Sequence, residues 1–160
     1  KLTAEHYIRH LFPNHVIFRY GNAYGPRQTP IGENQVVPRA IRHFLYGDDF
    51  SVNGDGNQKR DFIDVEDVAF ANLEAVRGQV GTYNLATGQS HSVNEVLQEL
   101  ERHFGVPNYK WDHTSKPDPR GSVHVNTSKL KREFGMRLFT DLQDGIPATI
   151  KWWEERRKVS

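Results

Sequence analysis

The sequence predicts an α/β fold, because segments with helical periodicity alternate with short β-rich segments along its 160 residues. The clearest helix is HSVNEVLQELERHFG, residues 91–105, in which apolar side chains recur at helical spacing. The clearest strands are HVIFRY, residues 15–20, and GTYNLAT, residues 81–87, which are short and rich in β-branched and aromatic side chains. Strands that alternate with helices in this way form a sheet with helices packed on it.

The N-terminal part of the chain predicts a helix, a strand and a long loop. Apolar side chains in residues 1–11 lie close to helical spacing, and Pro13 is expected to end this helix. The strand at residues 15–20 then runs into GNAYGPRQTPIG, residues 21–32, which glycines and prolines mark as a loop. A strand that ends in such a loop is a common place for a ligand.

The following segment predicts a second helix and a short strand. Residues 34–46 place apolar side chains on one side of a helix, and Gly47 supplies its C-terminal stop. FSVNG, residues 50–54, is a short strand, and Asp55 with Gly56 provides turn chemistry after it.

The remaining elements alternate in the same way. RDFIDVEDVAFANLEAVRG, residues 60–78, begins extended and becomes a helix near Val65, with Asp64 or Glu66 at its N-terminus. The other predicted elements are the strand at 81–87, the helix at 91–105 capped by Ser90 or Ser92, a strand at 109–113, a helix at 128–134 and a helix at 141–157.

Composition excludes several classes of function. With 21 basic and 20 acidic residues, the net charge of +1 gives no general electrostatic reason to expect nucleic acid or a membrane surface as partner. The absence of cysteine excludes disulfides, thiolate metal sites and thiol nucleophiles, and fits the reducing cytoplasm. His6 and His10 lie one helical turn apart, but no third ligand is evident, so a polar helix face is favoured over a metal site.

Three segments carry a specific resemblance. RYGNAYGPRQ at 19–28, VNGDGNQKRDFIDVEDVA at 52–69 and TYNLATG at 82–88 resemble, in this order, the extended short-chain dehydrogenase/reductase family, and within it the nucleotide-sugar 4-epimerases and 4,6-dehydratases. VNTSKLKREFG at 125–135 extends the likeness over essentially the whole chain. The resemblance implies that residues 1–160 are the C-terminal part of a doubly wound Rossmann-type fold, with a few parallel strands, helices and the substrate-binding lobe.

The resemblance also implies NAD as the cofactor of the parent family, held by a glycine-rich fingerprint in an N-terminal half. No such fingerprint occurs in this sequence, and GNAYGP at 21–26 does not present a strand, a tight turn and a helix in the needed spacing. Lys1 takes the place of the lysine in the family's catalytic tyrosine–lysine pair, without the tyrosine. We therefore expect no NAD binding and no turnover by the isolated chain; the alternative for Lys1 is an ordinary exposed lysine.

The substrate side of the resemblance is more complete. Arg60 matches the family arginine that grips the diphosphate of a nucleotide sugar, and a planar guanidinium suits a bidentate phosphate contact. The alternative is a solvated surface arginine. Asn22 matches the asparagine that donates to the same phosphate or hexose region; the alternative is an Asx turn within the glycine-rich loop.

Further positions match less well. Gln35 and Val36 fall at the start of the helix that borders the nucleotide in relatives, although Val36 fits core packing equally. Asn53 stands where relatives often place an aromatic side chain against the base, so possible hydrogen bonding replaces stacking.

The loop TSKPDPRG, residues 114–121, supplies two further candidates. Lys116 occupies the approximate position of a second family arginine, and Arg120 offers another cation for phosphate. Pro119 replaces a nearby acidic residue that can hold a ribose hydroxyl. A solvated loop without a ligand is an equal alternative.

Together these residues predict the nucleotide-sugar binding portion of a UDP-glucose 4-epimerase-like enzyme, with 4,6-dehydration as the alternative parent reaction. A stand-alone nucleotide-sugar binding module and a degenerate association domain are the other hypotheses. An unpaired sheet edge predicts association, either with an N-terminal half or as a homodimer, and the helix at residues 1–10 is a candidate contact.

Overall fold

The structure is a computed structural model that describes residues 1–30, 35–77, 79–114, 121–136 and 139–157. Within these ranges the chain forms six helices and eight strands, and the helices occur in the order that the sequence predicts. The elements are α1 (Leu2–Leu11), β1 (Val16–Tyr20), β2 (Asn22–Tyr24), α2 (Val36–Tyr46), β3 (Ser51–Asn53), β4 (Lys59–Arg60), β5 (Phe62–Asp64), α3 (Val65–Ala75), β6 (Gly81–Leu85), β7 (His91–Ser92), α4 (Val93–Phe104), β8 (Asp112–Thr114), α5 (Ser128–Phe134) and α6 (Leu142–Arg157).

The strands pair mainly in parallel. β1 pairs with β6, with Val16 opposite Gly81 and Tyr20 opposite Leu85. β2 pairs in parallel with β5, and β3 pairs in parallel with β8. β4 and β7 form the antiparallel pair of the described residues. The α/β class with parallel strands and helices is therefore confirmed.

Two hydrophobic clusters form the core. The larger cluster joins the apolar faces of α2, α4 and α6, where Ile41, Leu97 and Ile150 are almost completely buried. The smaller cluster lies around β5, β6 and α5, and includes Ile63, Tyr83, Leu85, Leu130 and Met136. The first cluster includes Val52 of β3, and the second packs against the parallel pair β1 and β6.

Local capping explains where the helices begin and end. Ser92 caps α4 with a capping box: its hydroxyl accepts from the Glu95 amide at 3.1 Å, and the Glu95 carboxylate accepts from the Ser92 amide at 2.5 Å. Gly105 then ends this helix in the left-handed conformation, with φ of 67°. Asp64 caps α3 by accepting from the Glu66 amide at 2.8 Å. The sequence offered Ser90 or Ser92 for α4 and Asp64 or Glu66 for α3. The capping residues in the structure are Ser92 and Asp64.

The strands depart from the predicted boundaries. The loop after β1 contains β2, which forms because Asn22 to Tyr24 bond to β5. The strand predicted at 109–113 is β8, shifted toward Thr114 by its pairing with β3. The strands β4 and β7 were not predicted, because each has two residues and depends on the other for its hydrogen bonds.

The N-terminal helix lies on the outside of the described structure. No residue of α1 is buried, and Leu2, Tyr7 and Leu11 are all more than half exposed. In the described part of the chain, no helix has the length and apolar character that a membrane span requires.

Candidate functional site

The parallel strands β1 and β6 end beside each other, and the chain continues from this edge into the candidate site. The Gly21 amide donates to the Leu85 carbonyl at 2.9 Å, which extends the pairing by one residue. A Cβ on Gly21 would lie 3.0 Å from the Asp61 carbonyl oxygen and 3.2 Å from the Ala86 Cβ. Glycine therefore lets the backbone pass close to residue 61 before Asn22 begins β2.

Asn22 is held against residue 61 by two hydrogen bonds. Its backbone amide donates to the Asp61 carbonyl at 2.7 Å, and its side-chain Nδ2 donates to the same oxygen at 3.3 Å. The side chain therefore bonds across to a neighbouring strand, and the predicted alternative of a local Asx turn does not describe these contacts. Asn22 lies at the C-terminal end of β1, where ligands of α/β proteins collect.

Arg60 is a buried cation. Its side chain is 6% exposed, and Nη1 donates to the Lys59 carbonyl at 2.7 Å and to the Gly121 carbonyl. The alternative of a solvated surface arginine is therefore wrong. A buried guanidinium needs hydrogen-bond acceptors around it, and the backbone supplies at least two.

The segment after Gly121 covers Arg60 by pairing loosely with β4. The Val123 amide donates to the Lys59 carbonyl at 2.9 Å, and the Lys59 amide donates to the Ser122 hydroxyl at 3.0 Å. Ser90 adds a hydrogen bond from its hydroxyl to the Val123 carbonyl at 3.3 Å. These contacts set the position of the chain above the guanidinium.

Asp61 was not among the predicted site residues. It is 1% exposed, and its carboxylate receives hydrogen bonds from the Thr87 amide, the Thr87 hydroxyl and the Gly88 amide at 2.7 to 2.9 Å. The only sequence signal is its place in the apolar strand that continues through Phe62 and Ile63, because a carboxylate in such a strand needs buried donors.

The other candidates occupy separate positions. Gln35 precedes α2, and its side-chain oxygen is buried without a hydrogen-bond partner among the described residues. Val36 packs against the larger core cluster, as the packing alternative predicts. Asn53 Oδ1 accepts from the Thr114 hydroxyl at 3.1 Å, opposite it in the β3–β8 pair. Lys116 and Arg120 lie outside the described residues.

A cavity of about 650 Å³ begins one residue beyond Asn22. Its volume falls within the range of small-molecule sites in proteins. It lies between the loop after β2, the first turns of α3 and one aromatic side chain of α6. Its lining residues are Ala23, Tyr24, Gly25, Pro26, Arg27, Gln28, Val65, Glu66, Ala69 and Trp152.

Comparison with known proteins identifies the family. The sequence model of the NAD dependent epimerase/dehydratase family matches residues 1–86, which is more than half of the 160-residue chain. The chain belongs to this family. Its resemblance to the nucleotide-sugar branch of the extended short-chain dehydrogenases/reductases is thereby confirmed.

Individual members of the epimerase/dehydratase family match along nearly the whole chain. A putative UDP-glucose 4-epimerase of Methanocaldococcus jannaschii is 32% identical over 99% of this chain and 53% of its own length. A dTDP-glucose 4,6-dehydratase of Streptomyces griseus is 31% identical over 98% of this chain and 47% of its own. The crystal structure of a UDP-glucose 4-epimerase with UDP-glucose from Thermotoga maritima superposes with a TM-score of 0.84 at 27% identity, covering 99% of this chain and 51% of that one. The chain thus spans about half the length of these relatives.

The described residues do not form a site that fits NAD, the cofactor in the name of the epimerase/dehydratase family. β1 runs into β2 and not into a helix, and β5 runs directly into α3 behind the Asp64 cap. After β6, the amides of Thr87 and Gly88 are already bonded to Asp61. No described strand therefore leads through a glycine-rich turn into a helix N-terminus, the arrangement that binds a dinucleotide pyrophosphate.

Lys1 is exposed and precedes α1 without a side-chain capping bond. Its carbonyl accepts from the Glu5 amide at 3.1 Å, which is an ordinary helical contact. This position agrees with the alternative of an exposed lysine for the chain as described, and its inherited catalytic role stays a prediction.

Proposed function

We propose that this chain is the nucleotide-sugar binding portion of an NAD-dependent nucleotide-sugar 4-epimerase-like enzyme. The observation that carries the proposal is the meeting, at residue 61, of the two chain segments that carry Asn22 and Arg60. Asn22 bonds to the Asp61 carbonyl, and Arg60 directly precedes that residue. This meeting lies at the carboxyl end of the parallel strands, where α/β proteins bind ligands.

The chemistry of the two side chains suits a sugar-linked diphosphate. A diphosphate is recognised by a fixed cation together with neutral N–H donors. Arg60 supplies a guanidinium whose position is set by backbone carbonyls, and Asn22 supplies an amide group that is bonded to the residue after Arg60. The known relatives support this assignment, since their names specify UDP-glucose and dTDP-glucose.

The burial of Arg60 sets a condition on binding. Only a small part of its side chain is exposed, and the chain at Gly121 lies against it. A phosphate therefore reaches Arg60 through this exposed part or after residues 121–124 shift. We propose that Lys116 and Arg120, which precede this segment, provide additional positive charge for the same phosphates.

The reaction proposed for the parent enzyme is epimerisation at the C4 position of the hexose, with NAD as the redox group. Dehydration is the alternative, because epimerase and dehydratase relatives match this chain at 32% and 31% identity. We propose that the residues which distinguish the two reactions, and those which hold NAD, belong to the half of the relatives that this chain does not match. The isolated chain is then inactive and does not bind NAD.

Partners follow from the same proposal. We propose that the chain works in the cytoplasm with an N-terminal half or as a homodimer, and that it binds neither nucleic acid nor membranes. Its balanced charge supports the last point, since 21 basic residues are offset by 20 acidic ones.

The test is ligand binding by the purified chain. Calorimetric titration and thermal unfolding are measured with UDP-glucose, dTDP-glucose, GDP-glucose and NAD. We expect at least one sugar nucleotide to bind and to stabilise the chain, by about 2.7 kcal/mol at a hundredfold excess over the dissociation constant. Arg60→Ala should abolish the binding, because it removes the fixed cation.

Two control variants sharpen this test. Lys59→Ala removes an exposed positive charge from the same two-residue strand and should bind as the unchanged chain does. Arg60→Lys keeps the charge but loses the planar fork, so an intermediate affinity is expected. Failure of all three sugar nucleotides to bind would favour the degenerate association domain, and measurable NAD affinity would contradict the proposed division of the enzyme.

A further inference from the structure

We propose that Asp61 is the positioning residue of the candidate site: it holds Asn22 in place for the ligand, and it attaches the Thr87–Gly88 turn to the strand that carries Arg60. The relevance to nucleotide sugars rests on the proposed function, whereas the positioning itself rests on the contacts of Asp61. Asp61 does not face the ligand, because its side chain is almost completely buried. It acts through the residues bonded to it.

The carboxylate of Asp61 orders the turn after β6. Oδ1 accepts from the Thr87 amide and from the Thr87 hydroxyl, each at 2.9 Å, and Oδ2 accepts from the Gly88 amide at 2.7 Å. Hydrogen bonds from N–H groups to a buried carboxylate are charge-assisted and about twice as strong as neutral ones. Both oxygens are therefore engaged, and the turn is attached to the strand that carries Arg60.

The backbone of Asp61 orders the other side of the site. Its carbonyl oxygen accepts from both the backbone amide and the side chain of Asn22. The same oxygen lies where a side chain on Gly21 would touch it, so the backbone at Gly21 passes close to it. A shift of Asp61 consequently moves the donor group of Asn22 directly.

One residue thus connects three separate parts of the chain. Asp61 joins the start of β2, the junction of β4 and β5, and the turn that leads from β6 toward β7. The β1–β6 ladder already brings the start of β2 close to the turn after β6, and the bonds of Asp61 attach the β4–β5 junction to both. A buried network in which every member is bonded gives the required rigidity.

Asp61→Asn separates the charge from the shape of this residue. The amide keeps one oxygen acceptor, but its NH₂ group must face one of the three donors, so at least one hydrogen bond is lost. We expect the affinity for UDP-glucose, measured by calorimetry, to fall by about tenfold or more, the equivalent of one charge-assisted bond. In ¹⁵N-resolved spectra the Asn22 side-chain and Gly88 amide signals should move.

The matched control is Ile150→Val, which removes one methyl group from the larger core cluster on α6. A residue with a purely structural role would lower the thermal midpoint as this control does and leave the affinity unchanged. Thr87→Val is the second variant: it deletes one of the three donors to Asp61 without touching the charge, and it also removes the contacts of the Thr87 hydroxyl with the backbone of Gln89. It should weaken UDP-glucose binding about threefold, in the same direction as Asp61→Asn.

The outcomes separate this inference from the proposed function. If the unchanged chain binds UDP-glucose and Asp61→Asn binds it equally well, Asp61 is not a positioning residue, while the proposed function stands. If no sugar nucleotide binds to the unchanged chain, the proposed function fails. The ¹⁵N-resolved spectra then test by themselves whether Asp61 positions Asn22 and Gly88. Asn22 and Gly88 signals that do not move in either variant would then overturn it.

Discussion

At the scale of single residues, the carboxylate of Asp64 makes two opposing contributions to the stability of the folded chain. As the cap of α3 it accepts from the Glu66 amide, a contact worth about 1 kcal/mol. Its burial opposes this, because desolvation raises the pKa of Asp64 above its ordinary value, and the charges of Asp67 and Glu66 act in the same direction. The hydrogen bond from Glu66 lowers the pKa but does not offset the burial.

Asp64→Asn is expected to gain stability relative to the unchanged chain as the pH rises. Since the pKa of Asp64 is raised in the folded state, its favourable contribution is complete below the unfolded pKa of about 3.9 and is lost as the pH rises through the folded pKa. Asparagine keeps the capping oxygen and has no charge to bury.

The measurement is the urea midpoint of both chains between about pH 4 and pH 7. Asp64→Ala, which also removes the cap, should lose about 1 kcal/mol relative to Asp64→Asn at every pH. A difference between the unchanged chain and Asp64→Asn that grows in favour of the unchanged chain with rising pH would contradict this account.

At the scale of elements, the N-terminal part of α6 packs closely against β2 and the start of α3. A Cβ on Gly145 would meet the Tyr24 hydroxyl, and it would lie 2.9 Å from the Tyr24 Cζ and 2.8 Å from the Asp64 Oδ2. The Tyr24 hydroxyl is buried with no hydrogen-bond partner in the described ranges, and burial together with the Asp64 charge raises the pKa of Tyr24. The hydroxyl therefore stays protonated at neutral pH.

Gly145→Ala should destabilise the chain by about 1–3 kcal/mol, because the new methyl group forces Tyr24 or the helix to move. Tyr24→Phe alone should be close to neutral, since it removes a buried hydroxyl for which the described residues offer no partner. Chemical unfolding of the two single variants and the double variant gives the interaction free energy between the methyl group at position 145 and the Tyr24 hydroxyl. Strictly additive effects would show that the two groups do not touch.

At the scale of the whole molecule, the described structure leaves an apolar face on α1 without cover. On this face Leu11 is 60% exposed and Tyr7 65% exposed, and Phe12, directly after the helix, is exposed to a similar degree. β1 has β6 as its partner among the described strands, so its other edge carries free backbone groups in this part of the chain. Exposed apolar side chains and an open strand edge each favour association.

Leu11→Lys should therefore weaken association of the chain. Sedimentation velocity over a range of concentrations measures the effect, and a several-fold rise in the dissociation constant is expected for the loss of one exposed leucine from an interface. Thr3→Lys, which adds the same charge at another exposed position of α1, is the control. Association that is equal in the two variants would place the contact elsewhere.

The predictions from sequence succeeded where the signal was local. Gly47 and Gly105 end α2 and α4 in the left-handed conformation, as their positions after periodic segments indicated. Arg60 and Asn22 were selected by resemblance, and their roles as ligands stay predictions. Asp61 was missed although it directly follows Arg60, because its donors lie 26 and 27 residues further along the chain.

The sequence by itself determined the positions of the helices and of most strands, the α/β class and the family, because periodicity, caps and turn residues act over a few neighbouring positions. Only the tertiary structure decided that β2 pairs with β5, that Arg60 is buried beneath Gly121, and that one carboxylate joins three segments. These contacts link distant parts of the chain. Their partners become definite only when the two cores bring the strand ends together.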